Sequence, residues 1–176
     1  MKRSFKKPER PETLEMLVEQ YLAAARDAAI RWRAVAFDYS PGTIDLLEEM
    51  LEELYQELNR KTMKKRFGLG KNDVDVAQWA NLWGIYLGET LRRELGGTWI
   101  TGHEEAPSLL AVEFHDGTVI FPTARVFRRL SDGPAENILE YYRTVLREVE
   151  QAPAPAAAPV EPGPAANGAP VNGKAG

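Results

Sequence analysis

The stretch ending at Leu95 constrains this chain most. Val76, Trp79, Ala80, Trp83, Tyr86, Leu87, Leu91 and Leu95 recur at three- and four-residue steps, which a helix places on one broad face. Two Trp and a Tyr on a single stripe make this the central helix of the core. It is expected to start around Asp73 or Asp75 and to stop at Gly96-Gly97. Gly84 and Gly88 lie one turn apart in its middle. Each costs about 1 kcal/mol relative to Ala, so a close neighbour is expected to need the space.

Two further helices precede it. Leu14, Leu17, Val18, Tyr21, Leu22, Ala25, Ala29, Trp32 and Ala36 mark one amphipathic face, with Pro11 in the first turn. The breaker cluster Asp38-Tyr39-Ser40-Pro41-Gly42 ends that helix near Phe37. The next helix takes Ser40 or Thr43 as its cap and buries Leu47, Met50, Leu51, Leu54 and Leu58. Glu48, Glu49, Glu52, Glu53 and Glu57 fill its outer face, and Gly68-Leu69-Gly70 stops it. These two helices are expected to form an antiparallel hairpin.

Short β-type runs follow at 98–101, 109–114 and 118–121. Asp116-Gly117 signals a two-residue type I′ hairpin turn. That register sets His115 opposite Thr118, Phe114 opposite Val119 and Val112 opposite Phe121. Leu110, Val112, Phe114, Val119 and Phe121 then share the buried face. A short helix from Thr123 to Leu130 turns Val126, Phe127 and Leu130 inward and Arg125, Arg128 and Arg129 outward. After Ser131-Asp132-Gly133-Pro134, a last helix runs to about Glu150 on Ile138, Tyr141, Tyr142, Val145, Leu146 and Val149. The order α-α-α-β-β-β-α-α predicts an α+β fold: N-terminal helices, a three-stranded antiparallel meander, then two C-terminal helices.

The ends differ from this middle. Residues 1–10 carry Lys2, Arg3, Lys6, Lys7 and Arg10 against Glu9 alone and read as a mobile basic arm. Residues 151–176 hold nine Ala, six Pro and four Gly, too little apolar surface to offset ordering entropy, so they are expected to be a disordered tether. One domain over 11–150 remains.

Several function classes drop out. Zero Cys excludes a disulfide scaffold, a Cys nucleophile and Cys-ligated metal. Two His, at 103 and 115, leave little for a multi-His metal site, so no metal and no cofactor are expected. A net charge of -4 gives no overall reason for nucleic-acid binding, and no apolar run is long enough to span a membrane. A cytoplasmic location follows as the expectation.

The passage Trp83-Gly84-Ile85-Tyr86-Leu87-Gly88-Glu89, then Leu91 and Leu95-Gly96-Gly97-Thr98-Trp99, resembles small bacterial domains of unknown function. They share an LGE…LGG.W helix-to-strand passage, a short hairpin and a Pro-initiated helix with basic residues. The resemblance covers residues 76–147. It implies a compact α+β domain and brings no catalytic residues.

Candidate chemistry is sparse. His103-Glu104-Glu105 and His115 fall near one end of the meander but lack the spacing of a zinc hydrolase motif. Glu89, set among aromatics, is the first acid/base suspect if burial raises its pKa; the plainer reading pairs it with Arg92 or Arg93 one turn on. Gly68-Leu69-Gly70-Lys71 fails as a P-loop, because a helix precedes it and Asn72 follows the lysine. The strongest charged features are basic: Arg60, Lys61, Lys64, Lys65, Arg66 and Lys71, with Arg125, Arg128 and Arg129 as a second cluster. The reading favoured is a non-enzymatic protein–protein interaction module: an adaptor, regulator or immunity-type partner with a protein as its ligand. The alternatives are a nucleic-acid or acidic-surface binder using the 60–71 patch, and a small enzyme using Glu89. Oligomeric state is not legible.

Overall fold

The computed structural model describes residues 13–66 and 76–152. The basic arm, Pro11, the Gly68–Gly70 loop with Lys71, Asp73 and Asp75, and the tail from 153 lie outside the described residues. The helices are α1 (Leu14–Arg33), α2 (Pro41–Arg66), α3 (Val76–Leu95), α4 (Pro122–Asp132) and α5 (Ile138–Gln151). Strands β1 (Thr98–Ile100), β2 (Ala111–Glu113) and β3 (Val119–Ile120) lie between α3 and α4, and a 3-10 turn, Pro134–Glu136, precedes α5. The chain is α+β, as its element order predicts.

Helix α3 occupies the centre. From Trp79 to Leu91 every residue but Asn81 is buried. Its two glycines face neighbours rather than space. A Cβ on Gly84 would stand 2.5 Å from the Thr123 Cα, and one on Gly88 would meet the Trp99 ring at 2.5 Å and Pro122 at 2.7 Å. Helix α4 therefore approaches α3 backbone to backbone, and the sheet's first strand lays an indole over the second gap.

Helix α1 packs chiefly on α3, and Arg33 near its end pairs with Glu53 of α2 at 2.7 Å. The linker between α1 and α2 is held against α3 as well. Thr13 caps α1 by accepting from the Met16 N–H, and Ala34 ends it with a left-handed φ of 54°. The chain then threads Phe37 against Trp83 and Tyr86, with ring centroids 5.9 and 4.8 Å away. Tyr39, also at positive φ, stacks on Tyr86 at 5.2 Å and donates its backbone N–H to the Tyr86 hydroxyl at 2.9 Å. The Thr43 hydroxyl donates to the Ser40 carbonyl, so Tyr86 donates to Thr43 Oγ1 at 2.7 Å. Two aromatic anchors thus tie the α1–α2 connection to the central helix.

The meander pairs in the order β1-β2-β3, all antiparallel. Its hairpin register differs from the expected one by a residue. Val112 faces Ile120 and Glu113 faces Val119, while the Phe114 N–H donates to the Thr118 carbonyl. The loop is three residues, His115-Asp116-Gly117, with Gly117 at a φ of 85° donating to the Phe114 carbonyl. A one-residue slip exchanges faces, so Ile120 is buried and Val119 only partly so.

Behind the sheet, α4 and α5 close the molecule against α2 and α3. Ile138, Tyr142, Val145 and Val149 form the buried stripe of α5, which runs one residue past Glu150 to Gln151. Phe127, expected inside, is 45% exposed because Val126, Arg129 and Leu130 take the inward positions of α4.

Candidate functional site

Thr13 starts α1 so that Leu14 and Val18 point inward while Glu15 and Glu19 stay in solvent. Across from them, Gly96, at a φ of 71°, turns the end of α3 into β1 and brings Trp99 back over Gly88. The space between is a cleft of about 330 Å³ lined by Leu14, Glu15, Val18, Glu19, Glu89, Arg92, Gly97, Thr98 and Trp99. The lining combines apolar groups, Leu14, Val18 and the Trp99 ring, with charged ones.

Glu89 forms one wall. It is 3% exposed, and both carboxylate oxygens are bonded. Arg92 approaches with Nε at 2.8 Å from Oε2 and Nη2 at 2.9 Å from Oε1. Arg93 Nε donates to Oε1 at 2.7 Å, and the Trp99 indole N–H donates to Oε2 at 3.0 Å. Burial by itself would raise this carboxyl, but the bonds from Arg92, Arg93 and Trp99 outweigh it and hold the pKa down to about 2. A general acid needs the opposite shift. Glu89 is a permanently ionised anchor, and it lies beside Trp99 rather than Trp79 and Trp83, which pack around Trp32. The Arg93 guanidinium also lies 3.8 Å above the Tyr39 ring, joining the cleft wall to the aromatic linker.

Elsewhere in the lining, hydrogen bonds from its own backbone N–H and from Thr13 lower the Glu15 carboxyl. The lining therefore carries three carboxylates, Glu15, Glu19 and Glu89, against one guanidinium, Arg92.

Of the basic residues singled out from sequence, the side chains of Arg60, Arg125, Arg128 and Arg129 are described. Arg60 is exposed, its Nε donating to the Gln56 carbonyl at 3.3 Å. Lys61, Lys64, Lys65 and Arg66 continue α2, and Lys71 lies outside the described residues. Arg125 is engaged by Glu136 at 2.6 Å and lies 4.9 Å from the Tyr141 ring centroid. Arg128 remains half in solvent, 4.0 Å from Glu136.

Arg129 corrects the outward expectation outright, being 1% exposed. Its Nε donates to Glu48 at 2.8 Å and its Nη2 to Glu52 at 2.6 Å. Glu48 also accepts the first N–H of α5, from Ile138, at 2.9 Å. Two acids of the supposed outer face of α2 thus receive α4 and cap α5.

The His103 and Phe121 rings meet edge to face with centroids 5.4 Å apart, His103 accepts the Glu105 N–H, and His115 is exposed at the hairpin loop. Among the described residues, no three His, Asp or Glu side chains are grouped to hold a metal ion.

Sequence spacing found the Glu89–Arg92–Arg93 cluster. It missed the cleft, which forms only when the Gly96-Gly97 turn brings β1 back beside α1.

Residues 57–142 match a domain of unknown function, DUF3806. No curated protein and no solved structure matches the chain. The matched segment contains Glu89, Arg92, Arg93, Trp99 and Arg129, whereas Leu14, Glu15, Val18, Glu19 and Tyr39 precede it. The matched segment therefore supplies one wall of the cleft and the preceding helix the other. Among the described residues, no helix is long and apolar enough to cross a membrane.

Proposed function

We propose that this chain is a non-enzymatic protein–protein interaction module of the cytoplasm, an adaptor, regulator or immunity-type partner, and that the α1–β1 cleft is its docking site. The observation that carries this reading is the saturation of Glu89: four hydrogen bonds occupy its two oxygens, leaving a rigid charged wall where an enzyme would keep a reactive group. Beside it the lining combines apolar groups with an excess of carboxylates. That chemistry suits an extended protein segment bearing Lys or Arg next to an apolar side chain. β1 is an edge strand of the sheet and contributes Thr98 and Trp99 to the cleft, so such a segment has backbone groups as well as side chains to meet.

The test compares tagged full-length protein with a Glu15→Lys, Glu19→Lys variant, using cross-linking and mass spectrometry from native cells. A stoichiometric partner cross-linked near residues 14–19 and 97–99, and lost in the variant, supports the reading. Equal capture by both proteins, or cross-links confined to other faces, would sink it.

A second reading keeps the basic run at the end of α2 as a contact for nucleic acid or another acidic surface. It is favoured by Arg60 being exposed two residues past Leu58, which is buried. Binding of this kind weakens steeply with salt and falls when Lys64, Lys65 and Arg66 become Ala. Arg125 and Arg129 are committed to Glu136, Glu48 and Glu52 and add nothing to such a surface.

A further inference from the structure

Resting on the docking role of the cleft, we propose that its resident occupant is the chain's own basic arm, residues 1–12, which a partner must displace. Position comes first. Thr13 caps α1, and the next two residues, Leu14 and Glu15, already line the cleft. The arm therefore leaves the described fold at the cleft's own wall. Phe5 is eight residues upstream of Thr13, a reach of up to about 26 Å in extended chain.

Chemistry comes second. Residues 1–12 carry Lys2, Arg3, Lys6, Lys7 and Arg10 against Glu9 and Glu12, and the cleft lining carries the exposed Glu15 and Glu19, with Glu89 already engaged by Arg92 and Arg93. Opposite signs thus face each other across a few residues of chain. Within the arm, Phe5 stands between Arg3 and Lys6, an aromatic flanked by cations. The cleft offers the matching chemistry, with apolar Leu14, Val18 and Trp99 in the same lining as the acids. Pro8 and Pro11 remove two backbone donors that would otherwise need partners on an apolar wall.

The tether makes weak contacts sufficient. A connection of a few residues gives an effective concentration of about 1 mM, so an intrinsic dissociation constant near 0.1 mM fills the cleft about 90% of the time. An external ligand then sees its affinity reduced about tenfold. The attraction involves exposed charges, so salt releases the arm.

The test uses a fluorescein-labelled peptide with the sequence of residues 1–12, titrated into three full-length proteins of matching circular dichroism. These are the wild type, an arm variant (Phe5→Ala, Lys6→Glu, Lys7→Glu), and that variant with Glu15→Lys and Glu19→Lys added. The expected result is binding about tenfold tighter to the arm variant than to wild type, and abolished in the third protein. Equal affinity for wild type and arm variant, or binding to neither, overturns the proposal. A wild type that sediments as a dimer while the arm variant is monomeric also overturns it, by placing the arm on a second copy. Partner capture separates the two readings. If capture still depends on Glu15 and Glu19 when the peptide result fails, the docking site stands without its resident arm. If the peptide result holds and capture ignores those acids, the arm occupies a cleft that is not the docking site.

Discussion

Glu89 was legible in part, since its pairing with Arg92 and Arg93 follows from i+3 and i+4 spacing alone. The bond from Trp99 was not, because it depends on how the Gly96-Gly97 turn folds β1 back over α3. The two readings of this residue differ in sign, and pH tells them apart. Its folded pKa, about 2, lies below the ordinary 4.5, so its stabilising effect is complete above about 4.5 and is lost as pH falls towards 2. The shift sets a ceiling of about 3 kcal/mol, reduced because both guanidinia reach solvent. Thermal melts of wild type and Glu89→Gln across pH 2–6 are expected to differ most at pH 5–6 and to converge near pH 2. Arg129 was illegible, because its partners Glu48 and Glu52 lie 81 and 77 residues away in the chain. Arg129→Met strands these acids against an apolar neighbour and is expected to lose about 3 kcal/mol in urea denaturation. Adding Glu48→Gln and Glu52→Gln is expected to restore part of that loss.

At the scale of elements, periodicity located all five helices and three strands, and it failed where connections decide. The α1–α2 connection was read only as a breaker cluster, whereas Phe37 and Tyr39 in it pack on Tyr86 of α3. The strand register slipped because His115 joins Asp116 and Gly117 in the loop, a choice between a two- and a three-residue turn that the Asp-Gly pair leaves open. The glycines of α3, in contrast, announced their role: two helix-weakening residues one turn apart implied close neighbours, and Thr123, Pro122 and Trp99 are those neighbours. Gly84→Ala gains helix propensity worth about 1 kcal/mol. It also drives a methyl group to 2.5 Å from a backbone carbon. Overpacking of this kind costs about 1–3 kcal/mol or more, and here the neighbour cannot rotate away. A lower urea midpoint is therefore expected despite the better helix former.

Across the whole molecule, α3 is the member on which α1, α4, α5 and the sheet all depend. The described buried residues fall between Val18 and Val149, and the Ala/Pro/Gly composition after Gln151 offers little apolar surface to add to them. A chain ending at Ala152 is expected to melt within about 2 °C of the full-length protein and to retain partner capture; loss of capture alone would assign binding to the tail. A shift of 1 kcal/mol moves the melting point of a domain this size by about 2–4 °C, so the comparison is sensitive enough to decide.

The meeting of Gly84 with Thr123 also limits how sequences of this shape can diverge. Because the near atom is the Thr123 Cα and not its side chain, no exchange of side chain at 123 makes room for a larger residue at 84. Suppressors of a Gly84 lesion must instead arise where α4 is held, around Pro122 or the Glu48–Arg129–Glu52 cluster, by letting the whole helix retreat. In a saturation library, position 84 would then return glycine alone, while 123 tolerates several residues.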